Sequence, residues 1–143
     1  MKRILVLNGP NLGSLGRREP EVYGTGTLAD LESALNTRAA TLGIDIRCAQ
    51  SNHEGVLIDI LEAERDGADG CIFNPGGFTH TSVALLDAMI AFGKPVIEVH
   101  ISNIFAREEL RHTTVTAAGA RAVIAGLGTA GYLVALDELA GQS

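Results

Sequence analysis

Tryptophan is absent from the 143 residues, and aromatic side chains make up only 4% of the chain. That leaves little to sandwich a flavin ring. Lysine occurs only at Lys2 and Lys94, each just ahead of a predicted strand. Both lie at the end of a parallel sheet opposite to the one that binds ligands, which argues against Schiff-base chemistry. The two cysteines, Cys48 and Cys71, fall in predicted strands and read as reduced, buried thiols of a cytoplasmic protein. No Cys/His grouping has zinc-ligand spacing, so no metal is expected. No charged-then-apolar leader and no apolar run of membrane-span length are present, so no membrane contact is expected. Positive charge is also short. A formal net charge of −6 argues against nucleic-acid binding and means that an anionic substrate needs a local arginine cluster. There is no Gly-Lys-Ser/Thr phosphate loop, and Gly13-Ser14-Leu15-Gly16 lacks the spacing of a nucleophile elbow.

What is there is a core-forming chain, 46% hydrophobic and long enough for a single catalytic domain over 1–143. Its centre of organisation is Cys71-Ile72-Phe73-Asn74-Pro75-Gly76-Gly77-Phe78-Thr79-His80-Thr81-Ser82. Cys71–Phe73 reads as a strand buried on both faces, because no polar residue alternates with the apolar ones. Gly76 and Gly77 let a ligand approach the main chain closely. Thr79 or Thr81 is the expected cap of the helix that follows. Arg3–Asn8 is the first strand. The Gly-, Pro- and Arg-rich segment from Gly9 to Gly26 has the length of a functional loop or lid. Thr27-Leu28-Ala29-Asp30 opens a helix with Leu28, Leu31, Leu35 and Leu42 on one face, ended by Gly43. Ile44–Cys48 alternates and reads as an edge strand. A helix over about Glu54 to Asp66 turns Leu57, Ile60 and Leu61 inward. The third helix, to Phe92, is expected to bury Val83, Leu86 and Ile90. Val96–His100 and Ala120–Ala125 are the last strands, and the final helix faces the core with Leu133, Leu136 and Leu139.

Strands thus alternate with helices five times. The pattern predicts an α/β three-layer sandwich with a five-stranded parallel sheet. The edge character of the second strand selects the order 2-1-3-4-5, the flavodoxin-like arrangement. Strands one, three and four are then neighbours, and the polar segments after them converge at one end of the sheet.

Those segments carry the candidate chemistry. The first offers Asn8, Asn11, Arg17, Arg18 and Tyr23. An isolated tyrosine is more often a packed surface residue, but a phenol beside guanidinium groups out of water can serve as a base. Glu98 and His100 are two apart on a strand and point to the same side, so Glu98 can orient the imidazole and favour its protonated form. The plainer reading is an ordinary pair at a strand end. Arg107 and Arg111, four apart, are either a solvated helix face with Glu108 and Glu109 or a clamp for an oxygen-rich anion. The backbone N–H groups of Ile101 and Ser102 can grip a carboxylate, although Ser102 also suits a simple helix cap. Asp87 stands among apolar residues on the third helix, beyond reach of its own loop. It is either a surface residue or one that reaches a neighbouring subunit.

Five motifs, in order, carry a resemblance over nearly the whole chain: Asn8-Gly9-Pro10-Asn11-Leu12-Gly13, Arg17-Arg18-Glu19-Pro20-x-x-Tyr23-Gly24, Gln50-Ser51-Asn52, Asn74-Pro75-Gly76-Gly77-x-Thr79-His80-Thr81-Ser82 and Glu98-Val99-His100-Ile101-Ser102-Asn103. The chain resembles the type II 3-dehydroquinate dehydratases of the shikimate pathway, which serves aromatic amino acid biosynthesis. The resemblance implies that Tyr23 removes the C2 proton of 3-dehydroquinate, held as tyrosinate by Arg18. Asn11, with a water, would stabilise an enolate, and His100 would protonate the departing hydroxyl in an anti elimination. Asn74, His80 and Arg111 would bind ring hydroxyls, and Ile101 and Ser102 the carboxylate. Asp87 would come from a neighbouring subunit. The family pattern also implies trimers assembled into a dodecamer, with no metal and no cofactor. The segment His112-Thr113-Thr114-Val115-Thr116 departs from that pattern, where a serine followed by bulkier residues is more usual, and is read as a change in local or subunit packing. One rival is a flavodoxin-like FMN-binding module, which would need a Ser/Thr-rich phosphate loop where Gly9–Gly13 stands. The other is a receiver-type signalling domain, which would need acidic residues at Asn8 and Asn74.

Overall fold

The computed structural model describes residues 1–141. Five parallel strands, β1 (Arg3–Asn8), β2 (Asp45–Gln50), β3 (Gly70–Asn74), β4 (Val96–His100) and β5 (Ala122–Ala125), form one sheet in the order β2-β1-β3-β4-β5. The expected order is therefore the observed one. The central strands β3 and β4 are buried along their whole length, β3 through its apolar run Cys71–Phe73 and β4 with Glu98 and His100 buried beside Val96, Ile97 and Val99. Alternate residues face opposite layers. Ile4, Val6, Ile72, Ile97 and Val99 pack on α2 (Leu28–Leu42) and α5 (Ala130–Ala140). Leu5, Leu7, Cys71, Phe73 and Val96 pack on α3 (Glu54–Glu64) and α4 (Val83–Phe92).

Helix α2 starts with the capping box expected from Thr27 and Asp30, with reciprocal bonds of 3.0 and 3.1 Å, and ends at Gly43 with φ 69°. Leu42 departs from the expected stripe and is exposed. The larger correction is α4. Nine of its ten residues are apolar (Val-Ala-Leu-Leu-Asp-Ala-Met-Ile-Ala-Phe), so periodicity has little contrast from which to fix a face. Leu85, Met89 and Phe92 are the buried ones, each worth about 1.5–3 kcal/mol of transfer free energy. Val83 and Ile90, expected inward, are exposed, and Leu86 is half-buried. The cap is Ser82, whose hydroxyl accepts from the Leu85 N–H at 2.9 Å, because a 3-10 turn over Gly76–His80 intervenes and engages Thr79 elsewhere.

The order 2-1-3-4-5 places a switch point between β1 and β3, where successive connections leave in opposite directions. There the two exit loops touch. The Gly9 N–H donates to the Asn74 carbonyl at 2.7 Å, and a Cβ on Gly9 would lie 2.5 Å from the Pro75 carbonyl oxygen. Gly9→Ala must therefore push apart the two loops that carry Asn11 and Asn74. Denaturant unfolding should show a loss of about 1–3 kcal/mol. An unchanged midpoint would mean that the loops yield without cost.

Candidate active site

A cavity of about 140 Å³ opens at the carboxyl ends of β1, β3 and β4. One wall is the loop after β1. Asn11 has left-handed backbone angles there (φ 70°), and its N–H donates to Asn52 Oδ1 at 3.0 Å. Gln50 Nε2 donates to the Gly9 carbonyl at 3.1 Å and to Asn52 Oδ1 at 3.2 Å. The end of β2 thus fixes the first loop from outside the cavity. Gly76, with φ 62°, sits against Pro10, and a Cβ there would lie 3.0 Å from the Pro10 carbonyl oxygen. Backbone rather than side chain therefore forms this part of the wall.

Tyr23 ends the short helix α1 (Pro20–Tyr23) and packs its ring against the core while its hydroxyl reaches the cavity. Two cations converge on it. Arg107 Nη1 donates to the Tyr23 hydroxyl oxygen at 2.7 Å, and its guanidinium carbon lies 5.4 Å from the ring centroid. The Arg18 guanidinium lies over the ring at 4.6 Å and pairs with Glu19 at 3.6 Å. The hydrogen bond to the phenol oxygen thus comes from Arg107, whereas Arg18, to which the resemblance gives that role, meets the ring face. Arg107 is itself tied down, because His112 Nε2 donates to its carbonyl at 2.7 Å. Arg107 and Arg111 both line the cavity from separate 3-10 turns rather than one α-helix face. Asn103, not Ser102, caps the first of these turns, accepting from the Phe105 N–H at 3.2 Å.

His100 and Glu98 form the pair that their spacing predicts. Nε2 of His100 donates to Glu98 Oε2 at 2.9 Å, and both side chains are buried. That leaves Nδ1 as the ring nitrogen that can serve the cavity. Burial raises the Glu98 carboxyl, but hydrogen bonds from His100, Thr116 and Thr114 and the charge of His100 outweigh it, so Glu98 is held below the usual carboxylate range.

Asn74 is fixed on both sides of its amide. Oδ1 accepts from the Gly76 N–H at 3.0 Å, and Nδ2 donates to the Tyr132 hydroxyl at 2.8 Å. Tyr132 in turn donates to Asn8 Oδ1 at 2.6 Å. Burial pushes the Tyr132 phenol up, so it remains a neutral brace. The two tyrosines of the chain therefore have unlike settings. His80 donates from Nδ1 to the Thr113 carbonyl at 2.8 Å, which leaves Nε2 for the cavity.

Of the residues singled out from sequence, Asn11, Arg18, Tyr23, Asn74, Gly76, Gly77, His80, His100, Ile101, Ser102, Arg107 and Arg111 line this one cavity. Glu98 stands behind His100. Asp87 does not join them. It is exposed on α4, one helical turn from Val83 and nearly one from Ile90, which are exposed too. Sequence reasoning missed Tyr132, which has no motif around it, and the roles of Thr114 and Thr116, and it offered Thr79 as a helix cap; the three threonine hydroxyls meet near Glu98 from two different segments. For Thr114 and Thr116 the signal was the unusual composition of 112–116, read there as a matter of packing.

The cavity can hold a small oxygen-rich anion between a base candidate flanked by guanidinium groups and an imidazole backed by a buried carboxylate. Residues 2–140 match the family model described as dehydroquinase class II. A 3-dehydroquinate dehydratase of Roseiflexus castenholzii is 54% identical over 139 residues, covering 97% of this chain and 88% of that protein. A catabolic 3-dehydroquinase 2 of Aspergillus flavus is also 54% identical, covering 96% and 92%. The crystal structure of a type II dehydroquinase from Propionibacterium acnes superposes with a TM-score of 0.96 at 45% identity, over 99% of this chain and 98% of that one.

Proposed function

This chain belongs to the class II dehydroquinase family and is thus a hydro-lyase, and we propose that it converts 3-dehydroquinate to 3-dehydroshikimate and water by proton abstraction followed by loss of hydroxide. The observation that carries the reading is the pairing in one cavity of Tyr23, bonded to Arg107 and stacked under Arg18, with His100, bonded to Glu98. Tyr23 as phenolate takes a proton from C2, and the electron pair moves into the adjacent carbonyl to give an enolate. Asn11, with a water, stabilises the enolate oxygen. The enolate reforms the carbonyl as the C1–O bond breaks, and His100 supplies the proton that turns the leaving hydroxide into water. Tyr23 then gives up the proton it gained and His100 takes one back, so the enzyme returns to its starting state with no net proton consumed. Asn74, His80 and Arg111 bind ring hydroxyls, and the N–H groups of Ile101 and Ser102 hold the carboxylate, with Gly76 and Gly77 shaping the wall. No metal and no cofactor enters these steps.

The same reading includes assembly as trimers within a dodecamer, with Asp87 entering a neighbouring subunit's site. The apolar flanks of Asp87, Val83 and Ile90, support this, because exposed on α4 they offer a face for another copy. The reading also places the enzyme in the shikimate pathway. Among the described residues no helix is long and apolar enough to cross a membrane.

Ultraviolet absorbance after mixing protein with 3-dehydroquinate in the presence of a chelator tests the reaction. The conjugated enone should appear at a rate proportional to enzyme. A flat trace from folded, assembled protein would overturn the assignment.

A further inference from the structure

The Glu98 carboxylate receives more hydrogen bonds than its pairing with His100 requires. Thr116 donates to Oε1, and Thr114 donates to Oε2 at 3.0 Å beside the bond from His100. Thr79 lies 2.5 Å from Thr116 and 3.2 Å from Thr114, oxygen to oxygen. Each hydroxyl has one proton to give. With Thr116 and Thr114 spending theirs on Glu98, the Thr79 proton goes to Thr116, which gives three donors a single direction that ends on the carboxylate. This direction belongs to an ionised Glu98, which accepts at both oxygens, whereas a protonated Oε1 would have to donate to Thr116 and reverse the chain. Thr79 and Thr116 are fully buried, where an unmet donor is costly.

The threonines come from two segments locked together. The Val115 N–H donates to the Thr79 carbonyl at 2.7 Å, His80 donates to the Thr113 carbonyl at 2.8 Å, and the Ala117 N–H donates to the Thr114 hydroxyl at 3.1 Å. The departure at 112–116 therefore bears on the carboxylate behind His100, not on packing alone. We propose that Thr114 and Thr116, braced by Thr79, are positioning residues for proton donation: they hold Glu98 charged and in register with the imidazole, so that His100 presents its second nitrogen to the leaving hydroxyl. This rests on the assignment of His100 as the acid. Among the described residues His100 is the one titratable group that hydrogen-bonds Glu98, and Tyr23, Arg18, His80, Arg107 and Arg111 line the same cavity as His100.

The test is Thr116→Val, which keeps the shape and removes the hydroxyl, read by kinetics and by pH-dependent unfolding. The expected kcat is roughly ten- to a hundred-fold lower, the cost of a lost hydrogen bond to a charged group. KM should hardly move, and Thr116→Ser should restore the rate. In a Glu98→Gln background Thr116→Val should cost nothing more, because its effect passes through the carboxylate. The pH dependence has a definite sign. A carboxyl held low in the folded state adds stability above its unfolded value and loses it as pH falls through the folded value. The thermal deficit of Thr116→Val should therefore be small in acid and grow toward neutral pH. An unchanged kcat, full additivity with Glu98→Gln, or a deficit equal at every pH would overturn the proposal. If Thr116→Val does not fold, Thr114→Val at the half-buried neighbour takes its place in the same cycle. If the wild-type protein turns over no 3-dehydroquinate, the functional assignment fails, and the network is decided by the pH dependence of stability alone.

Discussion

Tyr23→Phe should lower kcat by about 10²–10⁴-fold, the usual worth of a general base, while the thermal midpoint stays at the wild-type value. The ring remains against the core, so that core loses no packing. Only the oxygen goes, and with it the partner of Arg107 Nη1 at 2.7 Å. A base of this kind works only if cationic groups make its charged form favourable, which sets a second expectation. Arg107→Met should cost more rate than Arg18→Met, because Arg107 donates to the oxygen that carries the charge while Arg18 meets the ring face. Near-normal turnover in Tyr23→Phe would remove the base from the mechanism. Equal losses from the two arginine variants would mean that ring stacking matters as much as the direct hydrogen bond.

The reason the first site residues could be found from sequence is topological. A parallel sheet brings the ends of its neighbouring strands together, so a correct strand order gathers Asn11, Asn74 and His100 without any knowledge of side chains. The Glu98–His100 contact followed from the two-residue repeat of a strand. Helix α4 resisted, because with nine apolar residues in ten the pattern does not say which side is inward, and Val83 and Ile90 were placed on the wrong one. The threonine group resisted for a different reason. Thr79 and Thr116 are 37 residues apart, and their hydroxyls meet only because the segment before β5 folds back on the turn after β3. Tyr132 is a similar case, lying 58 residues from the Asn74 that it braces. No local spacing encodes either contact. Such residues hold functional groups in place from behind, and their neighbours in sequence do not mark them.

His100→Asn should separate the two halves of the reaction. On the proposed reading, C2 deprotonation needs Tyr23 and the arginines, whereas loss of the hydroxyl needs the imidazole proton. The expected result is a kcat lower by about 10²–10⁴-fold, with deuterium from heavy water still exchanging into C2 of unconverted substrate. Tyr23→Phe, by contrast, should slow exchange and elimination together. The variant also leaves Glu98 buried without its imidazole partner. Thr114 and Thr116 still donate to both of its oxygens, so the fold should persist at reduced stability rather than collapse. Steady-state rates beside a nuclear magnetic resonance record of C2 exchange make the comparison. If exchange and elimination fall together in His100→Asn, the imidazole acts before or during proton abstraction, and the division of labour between Tyr23 and His100 is wrong. If elimination survives at the wild-type rate, another group in the cavity donates the proton, and His80, whose Nε2 is free to face the cavity, is the first to test.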